Sequence, residues 1–86
     1  MEDIAMLKLE TKSKLPPEKI IDEIKGFFGE GGLGLSLEDD SSQCLSFQGG
    51  GGYVTATICP EERETRIEFV SQEWEIQVKK FTSELK

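Results

Sequence analysis

The sequence predicts an α+β fold: a β-α-β-β-β-β-α chain whose five-stranded antiparallel sheet carries two helices on one face. Three observations lead there. All nine glycines fall between Gly26 and Gly52, where they serve as helix stop, loop and hairpin tip. Two segments repeat their apolar residues at helical spacing, and the others alternate apolar with polar residues as half-buried strands do.

The first strand spans residues 4–11, with Ala5, Leu7 and Leu9 on one face and Met6, Lys8 and Glu10 on the other. Lys8 and Glu10 prefer water, so the leucine face is the inner one. A polar connection, Lys12–Lys14, leads to Leu15-Pro16-Pro17-Glu18. Proline suits the first helical position, where its missing N–H has no partner to lose. Leu15 is placed to staple onto Ile20. Ile20, Ile21, Ile24, Phe27 and Phe28 then lie on one helical face. Glu18 and Lys25 complement the two ends of the helix dipole, and Gly29 is expected to end the helix in a left-handed conformation.

Leu33, Leu35 and Leu37 alternate with small or polar residues and predict a second strand, Leu33–Glu38, followed by a polar turn over Asp39–Ser42. Leu45 and Phe47 mark the inner face of the third strand. Gly49–Gly52 form a mobile hairpin tip, and Tyr53–Ile58 return as the fourth strand with Val54, Ala56 and Ile58 inward. A four-glycine loop pairs Gln48 with Tyr53, Phe47 with Val54, Leu45 with Ala56 and Cys44 with Thr57. Residues directly opposite share a face, so the apolar sets agree. Pro60-Glu61 suits a tight turn with proline in its second position. In the fifth strand Thr65, Ile67 and Phe69 point inward and Glu64, Arg66 and Glu68 outward. A final helix is expected from Ser71 as N-cap, because Trp74, Val78, Phe81 and Leu85 follow at helical intervals. A competing reading continues the strand through Trp74, Ile76 and Val78.

Four hairpin-linked strands make a meander, and the crossover helix returns strand one beside strand five. This order resembles the TATA-box-binding-protein repeats and, in shortened form, the helix-grip fold of plant pollen-allergen-like proteins. The resemblance is one of topology across the whole chain, and it implies a fold without any functional residue.

Residues 1–86 make a single domain. A chain this short hides roughly 60–68% of the surface of its unfolded form, which allows one small core. A net charge of −7, from 17 acids against 10 bases, repels phosphates. It argues against nucleic-acid binding and against anionic membrane surfaces. The N-terminus is acidic without a signal-length apolar run, and no stretch approaches the ~20 apolar residues of a membrane span. The expected location is cytoplasmic. Cys44 and Cys59 are too few for a secreted disulfide framework, and as diagonal neighbours they are expected to stay free thiols.

Motif matches dissolve on context. Gly29-Glu30-Gly31-Gly32-Leu33-Gly34 spells a dinucleotide fingerprint, but that motif follows a strand and opens a helix, whereas this one follows a helix. The Gly49–Gly52 run enters a strand and lacks the lysine of a phosphate loop. Counting a calcium loop from Asp39 puts Gly50 where the distal glutamate belongs. The sequence has no histidine to activate Cys44, and Glu61-Glu62-Arg63-Glu64 reads as a solvated turn. No catalytic residue, metal or cofactor is assigned.

What remains is the uncovered face of the sheet. On it Lys8, Ser46, Tyr53, Thr55 and Arg66 are the candidate binding residues, with room for an anionic group between Lys8 and Arg66. Leu33, Leu35 and Leu37 form a candidate dimer edge. The sequence therefore reads first as a small non-catalytic interaction module that self-associates, its partner another protein or a second copy. The alternatives are a small-ligand carrier of the shortened helix-grip type and, less favoured, an enzyme.

Overall fold

The computed structural model describes residues 6–41 and 43–85, without the side chain of Met6. The expected positions of Ile4, Ala5, Ser42 and the Met6 side chain lie outside the described residues. The elements are β1 (Met6–Ser13), α1 (Pro17–Phe28), β2 (Ser36–Asp40), β3 (Cys44–Gly49), β4 (Gly52–Pro60), β5 (Thr65–Gln72) and α2 (Glu75–Glu84). The five strands form one antiparallel sheet in the order β1-β5-β4-β3-β2.

The core lies between the sheet and the two helices. Ile20, Ile24 and Phe28 of α1 and Val78 and Phe81 of α2 are buried against Leu45, Phe47, Val54, Ala56, Ile58, Ile67 and Phe69. Phe28 sits at the centre, its ring centroid 5.9 Å from Phe47, 6.2 Å from Phe69 and 5.6 Å from Phe81. Aromatic rings at such separations add attraction beyond the apolar area they bury. Both helices thus cover the same face, the one the strand alternation marks as inner.

β3 and β4 pair in the register expected from the glycine loop: Gln48 with Tyr53, Phe47 with Val54, Leu45 with Ala56 and Cys44 with Thr57. The ladder also takes in Gly49 and Gly52. Only Gly50 (φ 60°) and Gly51 (φ 84°) make the turn. Two successive positive φ values are what a tight two-residue hairpin turn requires, and glycine adopts them without strain.

Several boundaries differ from the sequence reading, among them the end of β2, where Asp39 and Asp40 pair with Ser46 and Leu45 instead of lying in the polar turn. β1 continues through Lys12 and Ser13 because these pair with Arg66 and Thr65 of β5. Its end is tied off where Leu15 N–H donates to Ser13 Oγ at 3.1 Å and Thr65 Oγ1–H donates to the Leu15 carbonyl at 3.1 Å. Pro60 belongs to β4, opposite Thr65, so the tight turn is Glu61–Glu64, closed by Glu61 N–H donating to the Glu64 carbonyl at 2.8 Å.

Gly29 ends α1 but is not left-handed; its backbone is extended, at φ −82° and ψ −157°. The chain instead folds back over the last helical turn. Gly32 and Gly34 donate to the Gly29 carbonyl, Leu33 to Phe27 and Leu35 to Phe28. Helix carbonyls that lack intrahelical partners are thereby satisfied. The same bonds explain why β2 starts late: the N–H groups of Leu33 and Leu35 cap the helix and cannot enter a ladder. Leu35 is buried ahead of the strand, while Leu33 and Leu37 are 38% and 39% exposed.

At the far end, Ser71 is no helix cap. It lies inside β5, fully buried, opposite Leu7 on one side and Val54 on the other. Pairing on both flanks extends β5 to Gln72, which is part of the competing strand reading. The strand breaks at Glu73, held at φ 74°, where its N–H is satisfied by Glu75 Oε2 at 3.0 Å. The helix then starts at Glu75, and Ile76 is left 77% exposed.

Candidate functional site: the open face and its edges

Strand pairing arranges the uncovered face as rows running across the sheet. One row holds Gln72, Tyr53, Gln48 and Ser36. The next holds Lys8, Val70, Thr55, Ser46 and Asp39. A third holds Glu10, Glu68, Thr57 and Cys44, and the last holds Lys12, Arg66 and Cys59. All five candidate binding residues lie on this face. Lys8, Thr55 and Ser46 share a row, with Ser46 Oγ and Thr55 Oγ1 hydrogen-bonded at 3.2 Å. Tyr53 is half-buried in the neighbouring row. It borders a shallow cleft of about 500 Å³ at the hairpin tip, with Ser36, Glu38 and Gln48.

Arg66 stands apart from that group. Lys8 pairs with Val70, four residues along β5 from Arg66, so the two cations are separated by roughly 13 Å of strand. Arg66 instead faces carboxylates. Its Nη1 donates to Glu68 Oε2 at 2.8 Å and lies 3.8 Å from Glu10 Oε1, and its Nε is 3.3 Å from Glu61 Oε2. The guanidinium is held above its ordinary pKa by Cys59, directly opposite it, and then by Glu68, Glu10 and Glu61; partial desolvation works the other way. This cluster answers Arg66 with the protein's own acids, and an incoming anion would have to displace them.

Cys44 and Cys59 are both free thiols, in the diagonal arrangement the hairpin register implies. Lys12, Val70, Cys59 and Gln72 also belong to the face, although the sequence reading did not place them there. Val70 follows from the period-two continuation of β5 beyond Glu68, and Gln72 was missed because the expected helix cap at Ser71 stopped the strand short of it.

The two edges of the sheet differ. β2 has five residues, Ser36–Asp40, and a bulge between Leu37 and Asp39 that leaves Glu38 as the extra residue. The bulge turns Asp40 to the helix side, where Lys25 Nζ donates to its Oδ2 at 2.9 Å. Three consecutive acids and a bulge are features that block edge-to-edge pairing. With Leu35 buried, the three expected edge leucines do not form one surface. β1 is longer, eight residues paired in unbroken register with β5. Among the described residues no strand pairs with its outer edge.

Compared with known proteins, the chain matches no family model, no curated protein and no solved structure.

Proposed function

We propose that this chain is a small cytoplasmic, non-catalytic interaction module that self-associates by pairing the outer edge of β1 with the same edge of a second copy. The observation that carries this reading is the contrast between the edges: β2 is short, bulged and acidic, and β1 is long, regular and mixed in charge. In β1, Lys8, Glu10 and Lys12 alternate along the open face while Leu7 and Leu9 lie half-buried on the helix side.

A two-fold antiparallel pairing centred on Leu9 sets Leu9 against Leu9 of the second copy. It sets Lys8 against the second copy's Glu10 twice over. Opposite charges directly across a strand pair attract, and a two-fold contact is self-complementary and closes at the dimer. The result is one continuous sheet of ten strands. The non-catalytic part is supported by Lys12, Lys25 and Arg66, whose charges are answered by neighbouring acids on the surface. A cytoplasmic location fits the two free thiols and the lack of any helix, among the described residues, long and apolar enough to cross a membrane. A carrier role is less favoured because phenylalanine rings fill the space between sheet and helices.

Sedimentation equilibrium tests the dimer. The wild type is expected to dimerise, Glu10→Lys to be monomeric, and the Lys8→Glu/Glu10→Lys double variant to dimerise again. A wild type that stays monomeric at high concentration overturns the reading. So does a dimer that survives Glu10→Lys but is lost in Leu37→Lys, which would place the contact at β2.

A further inference from the structure

α1 and α2 meet through the ring of Phe81, which lies against Phe27 and Phe28, but they leave a gap beside this contact. A groove of about 600 Å³ lies between them. Its floor is apolar: Leu15, Phe27, Phe81 and Leu85, with the rings of Phe27 and Phe81 5.2 Å apart. Leu15, Phe27 and Leu85 are only partly covered, though each packs on the core. Its rim is acidic, formed by Asp22 and Glu23 of α1 and Glu84 of α2, all exposed, and no cation stands among the described lining residues.

A second feature points to the same place. Gly26 lies within α1 and lines this groove. Glycine is the least favourable helix residue after proline, and here neither backbone nor packing calls for it. Its φ is not in the left-handed range, and a Cβ built on it meets nothing within 4 Å. Gly29, Gly32, Gly49, Gly50 and Gly52, by contrast, all have atoms in the way of a Cβ. What the missing side chain at Gly26 leaves is an open stretch of groove wall.

We propose that this groove is the docking site for an amphipathic helix of a partner protein, one that carries lysine or arginine beside its apolar face. Two helical walls and an apolar floor suit the ridge of a third helix, which binds such grooves through large apolar anchors at successive turns. The rim selects the charge. Asp22, Glu23 and Glu84 stand where flanking cations of the incoming helix would reach them, and the overall charge of −7 favours the encounter from a distance. An acidic helix of equal hydrophobicity is repelled by the same rim. The surface is separate from the β1 edge, so this inference stands or falls independently of self-association.

The test uses the full chain and two fluorescein-labelled peptides of about five helical turns, with a leucine face and either lysine or glutamate flanks. Fluorescence anisotropy is expected to show saturable binding of the lysine peptide, weakened by salt, and none of the glutamate peptide. Gly26→Leu fills the groove while restoring a strong helix former, so it should weaken binding at least tenfold without lowering the melting temperature. Gly26→Ala should raise the melting temperature by roughly 4–8 °C, the shift expected for replacing a helical glycine in a domain this small. Glu23→Lys with Glu84→Lys should also weaken binding at least tenfold, and Glu10→Lys should leave it unchanged. Equal binding of both peptides, no binding of either, or undiminished binding by a folded Gly26→Leu protein would overturn the proposal.

Discussion

The indole Nε1–H of Trp74 donates to the main-chain carbonyl of Gly49 at 2.8 Å. The bond joins the residue that opens α2 to the tip of the β3–β4 hairpin, and the ring lies against Gly50, where a Cβ would be 2.8 Å from Cζ2. The glycine tip is therefore held from one side. Trp74→Phe keeps a ring in place but removes the donor, and it should cost roughly 1–2 kcal/mol, as for a hydrogen bond whose acceptor is left partly buried. Urea denaturation followed by circular dichroism would show this as a lower midpoint. Amide exchange at Gly50–Gly52 should quicken in parallel. An unchanged midpoint would mean that the bond contributes nothing to stability.

Gly31 and Gly32 are adjacent in one loop and should respond in opposite directions to alanine. A Cβ on Gly31 meets open space, and its φ is not in the left-handed range. Gly31→Ala should stabilise by about 0.4–1 kcal/mol, by restricting the unfolded chain. On Gly32 a Cβ would run into the carbonyls of Phe27 and Gly26, where the chain folds back over the end of α1. Gly32→Ala should destabilise by more than that same ~1 kcal/mol. Thermal melts of the two variants decide the matter, and equal shifts would show that the loop yields to either.

Ser71 is fully buried in β5, and its Oγ has no hydrogen-bond partner among the described residues. A buried hydroxyl without a partner retains its desolvation cost. Ser71→Ala removes the hydroxyl for a small loss of volume and should be neutral or stabilising by up to about 1 kcal/mol. A clear loss of stability would mean the hydroxyl is satisfied in solution.

Arg66 balances Glu10, Glu61 and Glu68. Arg66→Gln leaves three like charges together in an acidic protein, so the urea midpoint should fall, and by less in about 0.5 M salt, where exposed charges are screened. The raised pKa of the guanidinium means that its contribution is complete below its unfolded value and is lost only as pH climbs through the higher folded one. The difference between the variant and the wild type should therefore be flat between about pH 6 and 7. A variant more stable than the wild type would show that desolvation of the guanidinium outweighs its ion pairs.

Strand alternation was the most legible signal. Leu45, Phe47, Val54, Ala56, Ile58, Ile67 and Phe69 all lie on the predicted inner face, and the β3–β4 register followed from the length of the glycine run. Trp74, Val78, Phe81 and Leu85 pack on the core as helical spacing implied. The candidate site was legible only in part. Period two placed Lys8, Ser46, Tyr53, Thr55 and Arg66 on the open face. It carried no information on how far apart Lys8 and Arg66 stand, nor on the acids around Arg66. Glu10 and Glu68 come from two strands, and Glu61 comes from a turn. The interhelical groove left one trace in the sequence, a glycine inside a helix, and that trace reads equally well as tolerated imperfection.

The order of elements, the buried faces of α1, β3, β4 and β5 and the pairing of the central hairpin were legible in the residues alone. These follow from local periodicity and turn chemistry, which a chain carries wherever it folds. Tertiary structure decided the ends of the elements. Backbone groups of Leu33 and Leu35 were drawn into capping α1 and withheld from β2. Flanking strands on both sides carried β5 past Ser71. Such outcomes depend on which donors and acceptors meet across the fold, because a backbone group can satisfy only one arrangement at a time. The same competition left β2 bulged and β1 regular, and the packing of α1 against α2 left Gly26 lining an open groove.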